Sequence, residues 1–363
     1  MACDGIQRPA LARKLGLSRQ ATSDLLAGLE TRGLVEVSGS LKGVPGRSDL
    51  LYALRDRAAV GLGVDVGGTK VAAALLDLRG RVLAERAEPT DRGGPPRLIA
   101  QISALADTLC RDAGVPRFHL RQAVVGIPAA VDPQDGRLTL AGNLPGIEGL
   151  SFRDPLQASM GATVRLENDV NLALVAEMAH GTACNCGNVL FVGLGTGIGG
   201  ALAVEGRLVR GAFGGGGELG YLPLWGLQAK GLAPLERRVG EAGIRDHYVS
   251  LGGETEHSVR DIFDAATAGH PAAAAALNEA ARFVAQGVVS ALALLDMEMV
   301  VFGGSIGART EFIDRVRVHV ETSWMRPVAV VRSSAGSRAG LLGAVETAHQ
   351  SLLDELFGPL PAG

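Results

Sequence analysis

Apolar positions along this chain change their rhythm near residue 60. Before it, Leu11, Ala12 and Leu15 recur at helical spacing, and Leu25, Leu26 and Leu29 do so again. Pro9 suits a first helical turn, Gly16 a turn between two helices, and Ser18 an N-cap for the second. The segments "LVEV" and "LLYAL" then alternate as two strands would, around the glycine-proline loop "SGSLKGVPGRSD". Two short helices joined by a glycine turn form the pattern of a helix-turn-helix, and the hairpin would be its wing. Arg19, Gln20, Thr22 and Ser23, at the start of the second helix, are then the candidates to face bases. Lys42 and Arg47, in the loop, would contact phosphate or minor groove. A winged helix ordinarily opens with a further helix, and only "MACDG" precedes this pair, so the true start lies upstream or the module is incomplete.

After residue 60 the pattern becomes apolar strands ending in glycine loops. "AVGLGVDVGGTKVAAALLDLRGRVLAE" predicts strand, glycine turn, strand, turn at Arg79-Gly80, strand. "NVLFVGLGTGIGGALAVEGRLV" repeats that order about 130 residues later. The echo predicts two related halves facing each other across a cleft. "RLIAQISALADTLCRDAG" and "AAAAALNEAARFVAQGVVSALALL" read as helices, and "LLGAVETAHQSLLDELFG" as a closing one. The expected division is 1–58 for the N-terminal module, 59–180 for the first lobe, 181–345 for the second, and 346–363 for a C-terminal helix returning to the first lobe.

Composition narrows the class without naming it. With 363 residues, 47% hydrophobic, 51 glycines and 4% aromatics, the chain suits α/β architecture with many tight turns. The net charge is −3, but residues 1–58 carry nine Lys/Arg against six Asp/Glu. A modestly basic head on an acidic body is compatible with local DNA contact. The four cysteines are scattered apart from Cys184 and Cys186, whose one-residue spacing frames no structural zinc site, even with His180 nearby. Scattered thiols and the lack of a leader or an 18-residue apolar run give the expectation of a cytoplasmic protein with no membrane contact.

The candidate chemistry lies in the glycine loops. In "DVGGTK", Gly67 and Gly68 would let backbone approach phosphate oxygens. Thr69 and Lys70 offer a hydroxyl and a cation, and Asp65 could hold a magnesium-bound water. A tight hairpin needs the same glycines, so the motif alone is weak. The echo at Gly195, Thr196 and Gly197 strengthens it, and Gly303 and Gly304 in "FGGSIG" supply a third loop, suited to adenosine. None is a P-loop. In "LENDVNLALVAE", Asp169 could take a proton from a ligand hydroxyl with Asn168 bonding the same ligand, or the pair could simply cap a helix.

Together "DVGGTK", "GNLPGIEG", "LENDVNLA", "GLGTGIGG", "GELGY" and "VVFGGSIG" resemble the ROK family of repressors, open reading frames and kinases of sugars, over nearly the whole chain. The resemblance implies an actin-like (ribonuclease H-like) α/β fold of two lobes, with ATP and sugar meeting between them. It places Asp169 as the catalytic base of the family's kinases and Asn143, Asn168, Glu218 and Glu236 in the sugar pocket. It also places Asp65, Gly67, Gly68, Thr69, Gly195, Thr196 and Gly197 on the phosphate side. The N-terminal module looks like that of the family's repressors. Two departures stand out. Tyr221 occupies the place of a histidine that touches sugar and ligates zinc, and Leu227, Ala229 and Pro234 fall where three cysteine ligands stand. No zinc is therefore expected, and Leu222, Leu224, Trp225, Leu227 and Leu232 would hold the segment by apolar packing. Ala129, in "GIPAAVD", puts a methyl where glycine is frequent.

These features lead to the expectation of a sugar-responsive transcriptional regulator that binds operator DNA as a homodimer or higher homo-oligomer. The alternative is an ATP-dependent kinase of a hexose or N-acetylhexosamine with a vestigial N-terminal module, using ATP and magnesium.

Overall fold

A computed structural model describes residues 5–42, 48–141, 146–223 and 233–358. The N-terminal module holds β1 (Ile6–Gln7), α1 (Arg8–Leu15), α2 (Arg19–Thr31), β2 (Val35–Lys42) and β3 (Ser48–Leu54). Gly16 closes α1 in a left-handed conformation, and the Ser18 hydroxyl caps α2 by accepting from the Ala21 N–H at 3.1 Å. The strands form one antiparallel sheet in the order β1-β3-β2. The helix pair and hairpin anticipated from the apolar pattern are thus present.

The body contains two five-stranded sheets of matching construction. The first comprises β4 (Val60–Val66), β5 (Lys70–Leu76), β6 (Val82–Pro89), β7 (Leu120–Ile127) and β10 (Thr163–Asn168). A two-residue hairpin, β8 (Ala130–Val131) with β9 (Leu138–Thr139), stands beside it. The second comprises β11 (Val189–Leu194), β12 (Ile198–Val204), β13 (Arg207–Leu208), β14 (Met299–Gly303) and β15 (Ala329–Arg332). Their orders are β10-β7-β4-β5-β6 and β13-β12-β11-β14-β15, one topology used twice. In each, the first three strands are antiparallel neighbours and the last two join in parallel through helical crossovers. The internal echo read from the sequence is therefore a structural duplication.

Helices cover both sheets. α3 (Pro95–Asp112) and α4 (Arg153–Met160) pack on the first, whose core gathers Val60, Leu62, Val64, Ile102, Leu109 and Phe152. α6 (Pro234–Val239), α7 (Glu241–Ser250), α8 (Val259–Thr267), α9 (Pro271–Leu295) and α10 (Thr310–Ser323) build the second around Phe263, Phe302 and Phe312. No helix among the described residues is long and apolar enough to cross a membrane.

Two helices join the lobes. α5 (Asp169–His180) packs on β12 and β11, and α11 (Ala339–Phe357) packs on α5, β4 and β7. The C-terminal helix starts at Ala339, ahead of the 345/346 boundary expected from the sequence. At the other end of α5, the fully buried Glu177 accepts from Ser333 Oγ (2.6 Å), the Thr182 N–H (2.8 Å) and the Ala335 N–H (2.9 Å). Burial raises its pKa, but these bonds and one from Ser334 Oγ outweigh it and hold the carboxyl below its ordinary range. The last turns of α11 reach the N-terminal module, where Leu352 and Leu356 meet Leu29, Leu34 and Leu54.

Candidate functional site

A cavity of about 250 Å³ opens between the lobes where β10 passes into α5. Asn168 has the extended backbone of an N-cap, and its Oδ1 accepts from the N–H groups of Val170 (2.8 Å) and Asn171 (3.1 Å). Its Nδ2 donates to the Ala129 carbonyl at 3.1 Å. Asn168 therefore does the capping, and the choice left open between cap and base divides between the two residues. Asp169 accepts from the neighbouring Val170 N–H, at 2.9 Å, and from its own backbone N–H, and lines the cavity.

Its environment suits proton transfer. Burial, the negative charge of Asp65 and that of Glu218 raise the Asp169 pKa to about 7, against a weaker opposing pull from the backbone N–H of Val170. A carboxyl poised near neutrality is the condition that general-base catalysis favours. Glu218 and Glu236 reach the same cavity from the second lobe. Burial and the Glu236 charge push the Glu218 carboxyl up. Glu236 Oε2 accepts from the Ile198 N–H at 3.2 Å and leaves 2.2 Å for a Cβ at Gly197, so only glycine lets that carboxylate pack on the loop. No Lys or Arg lines this cavity among the described residues.

The glycine loops converge beside it. Gly195 donates to the Gly197 carbonyl at 2.9 Å, closing the turn between β11 and β12 with Thr196 at its tip. Gly303 ends β14, and Gly304 follows with φ +85°. A Cβ on Gly304 would stand 2.3 Å from the Leu194 carbonyl oxygen, so this turn has no room for a side chain. In the first lobe, Gly67 and Gly68 turn the chain between β4 and β5, and nothing lies within 4 Å of a Cβ built on Gly68. Thr69 and Lys70 are exposed beside them, and burial raises the Asp65 pKa, with the Lys70 charge opposing. Open space over a glycine turn, a cation and a buried acid fit a nucleotide phosphate with its metal.

The remaining expectations fare unevenly. Tyr221 sits in a short 3-10 turn, 47% exposed, and is not among the residues lining the cavity. Burial and the charges of Glu218, Glu236 and Glu148 raise its pKa. Asn143 lies outside the described residues, as do Leu224, Trp225, Leu227, Ala229 and Leu232. Pro234 opens α6, and Leu222 packs against the second-lobe core. Ala129 is 2% exposed, belongs to the first-lobe core and also lines the cavity. On α2, Arg19 is exposed, Gln20 binds Asp24 at 2.8 Å, and Ser23 accepts from Arg8 at 3.1 Å. Thr22 corrects the reading: it is fully buried and donates to the Ser18 carbonyl at 2.9 Å, so it faces no base. Lys42 ends β2, while Arg47 lies outside the described residues. Sequence reasoning did not single out Arg92, which donates to the Gly68 carbonyl at 2.7 Å, nor Glu167 and Arg210, paired across the lobes at 2.7 Å. Nothing in their local spacing marks them.

Two duplicated α/β lobes with acids and glycine loops between them fit the actin-like class of folds. Within it, the chain belongs to the ROK family, whose model matches residues 61–351. It is 26% identical over 285 residues to the beta-glucoside kinase of Listeria innocua, covering 77% of this chain and 94% of that one. The solved ROK hexokinase from Thermus thermophilus is 31% identical, with a TM-score of 0.70, covering 81% of this chain and 99% of that one. A ROK family transcriptional regulator, a homolog of the E. coli MLC protein, has a TM-score of 0.77 at 19% identity and covers 98% of this chain. At that identity it speaks to fold alone. The expectation of a regulator is accordingly corrected: the beta-glucoside kinase and the hexokinase match this chain over nearly their own whole length, and they favour the alternative.

Proposed function

We propose that this protein is an ATP-dependent sugar kinase acting on a neutral hexose or N-acetylhexosamine. The observation that carries the reading is Asp169, beside the capping Asn168, with a pKa raised to about 7, in a cavity shared by both lobes. Asp169 would take the proton from the hydroxyl that attacks, so that the oxygen is nucleophilic as the new bond forms. Glu218 and Glu236 would accept hydrogen bonds from other hydroxyls, fixing which oxygen faces Asp169. Acids without a lining cation favour a neutral polyol over a sugar acid. ATP would supply the phosphoryl group, and magnesium would offset its charge. Asp65, Gly67, Gly68, Thr69, Lys70, Gly195, Thr196 and Gly197 would hold the phosphate side, and Gly303 with Gly304 the adenosine side. The kinase names of the sequence relatives support the same reading.

Sugar-dependent release of ADP, followed over a panel of hexoses, N-acetylhexosamines and hexuronic acids, tests it. Turnover is expected with at least one neutral sugar and with none of the acids. Failure on every sugar would overturn the proposal.

A second reading is confined to residues 5–58. The helix pair with its three-stranded sheet fits a winged helix-turn-helix, and the near-complete coverage by the regulator structure supports that shape. Its exposed Arg19 would then meet DNA beside any kinase activity. Salt-sensitive binding to duplex DNA, weakened by Arg19→Ala, is the expected result. Binding absent at low salt sinks the reading.

A further inference from the structure

Next to the cavity described above lies another, of about 390 Å³, that no step of sugar phosphorylation uses. The two share β10: Val164 to Glu167 line one, and Asn168, with Asp169 at the start of α5, the other. The second cavity collects three guanidiniums from separate parts of the chain. Arg153 comes from the start of α4, Arg165 from β10, and Arg210 from the second lobe, just after β13. Two carboxylates, Asp132 and Glu167, share the lining.

The hydrogen bonds show how little of this donor capacity is used. Glu167, with only 4% of its side chain exposed, takes Arg210 Nε at 2.7 Å and Arg165 Nη2 at 3.3 Å on one oxygen. Its other oxygen accepts from Asn171 Nδ2 at 2.9 Å. Arg153 spends Nε on Asp154 at 3.0 Å, and Asp132 serves its own turn by accepting from the Gln134 N–H at 2.8 Å. Each guanidinium carries five N–H donors. The rest find no protein acceptor among the described residues, although all three side chains are only 34–42% exposed.

We propose that this cavity is a second ligand site, for the phosphoryl group of a small phosphorylated compound. Planar guanidiniums bind phosphate through paired N–H bonds, and a dianion with three acceptor oxygens can engage all three at once. A carboxylate has two oxygens, too few to engage three guanidiniums. The volume lies at the small end for metabolite pockets and accommodates a monophosphate ester. Because Arg210 belongs to the second lobe, such a ligand would span both lobes. It would share its arginines with Glu167, whose other oxygen braces the first turn of α5.

The test is calorimetric titration of the intact chain with glucose 6-phosphate and with inorganic phosphate. It uses the natural sequence, Asp169→Asn, and the pair Arg153→Gln with Arg165→Gln. The natural chain and Asp169→Asn are expected to bind at least one of the two compounds. The double variant should bind it about tenfold or more weakly, two charged hydrogen-bonding partners having been removed. Equal affinity for both compounds assigns the site to free phosphate, and tighter binding of the ester assigns it to an ester. Each supports the proposal. No binding by the natural chain, or equal binding by the double variant, overturns it. Arg153→Lys, which keeps the charge, guards against a folding defect: it should weaken binding without lowering Tm. Binding by Asp169→Asn is read without turnover, so this result stands apart from the kinase assay.

Discussion

Asp169→Asn is expected to lower kcat for sugar-dependent ADP release by about 10²–10⁴-fold, the range for losing a positioned general base. The amide keeps the volume and accepts from the Val170 N–H as the carboxylate does, so sugar affinity should change far less than kcat. The pH dependence sharpens the test. The ionised form is the base, so the rate should rise with pH through about 7 and level above it. Stability should run the other way. The folded pKa stands above the ordinary aspartate value of 3.8, so between them the native state binds more protons than the unfolded chain. Stability then falls as pH rises from about 4 to about 7, and is flat beyond. Asp169→Asn removes the titrating group. Its Tm relative to the natural chain should therefore improve over that interval, while activity is lost. An unchanged kcat at pH 8 would remove Asp169 from the chemistry. A variant that loses activity together with several degrees of Tm would point to a structural role instead.

How much of this was legible in the sequence depends on the range of the signal. The duplicated lobes were, because strand, glycine turn and strand repeat locally and in the same order at both sites. So were the α2 cap at Ser18 and the acids of the cleft, which sit beside their own turns. Three things were not. The division of labour between Asn168 and Asp169 depends on which side chain accepts from the N–H groups of Val170 and Asn171, and both orders of that pair cap equally well on paper. The burial of Thr22 comes from the fold of the module, since a polar residue in the first turn of a helix gives no sign of facing inward. The ion pair between Glu167 and Arg210 joins residues 43 positions apart. Each is an ordinary surface charge until the lobes meet. The regulator expectation failed for a related reason. The strong local pattern in residues 1–58 carries no information about the chemistry of the lobes, whose sequence relatives are kinases.

Gly343→Ala should be the most damaging single methyl added to the chain. Where α11 crosses α5, a Cβ at residue 343 would lie 1.8 Å from the Leu172 carbonyl oxygen and 2.5 Å from its carbonyl carbon. Both obstacles are backbone, so no rotamer change relieves the clash, and the helices must separate. Alanine gains about 1 kcal/mol over glycine in a helix interior, whereas overpacking of this kind costs typically 1–3 kcal/mol and here falls at the upper end or above. The clash wins. Tm should drop by about 3 °C or more, and activity should fall with it, because both helices end at the site. α5 begins at Asp169, and three residues before Gly343 a Cβ on Gly340 would lie 2.8 Å from Asp65 Oδ1. Gly28→Ala, at the start of the last turn of α2 with nothing within 4 Å of its Cβ, is the matched control. There the helical preference acts alone, and stability of the N-terminal module should hold or rise. Thermal unfolding of both variants decides the point: if Gly343→Ala melts with the natural chain, the two helices are not in backbone contact, and the link from the C-terminal helix to the cleft fails with it.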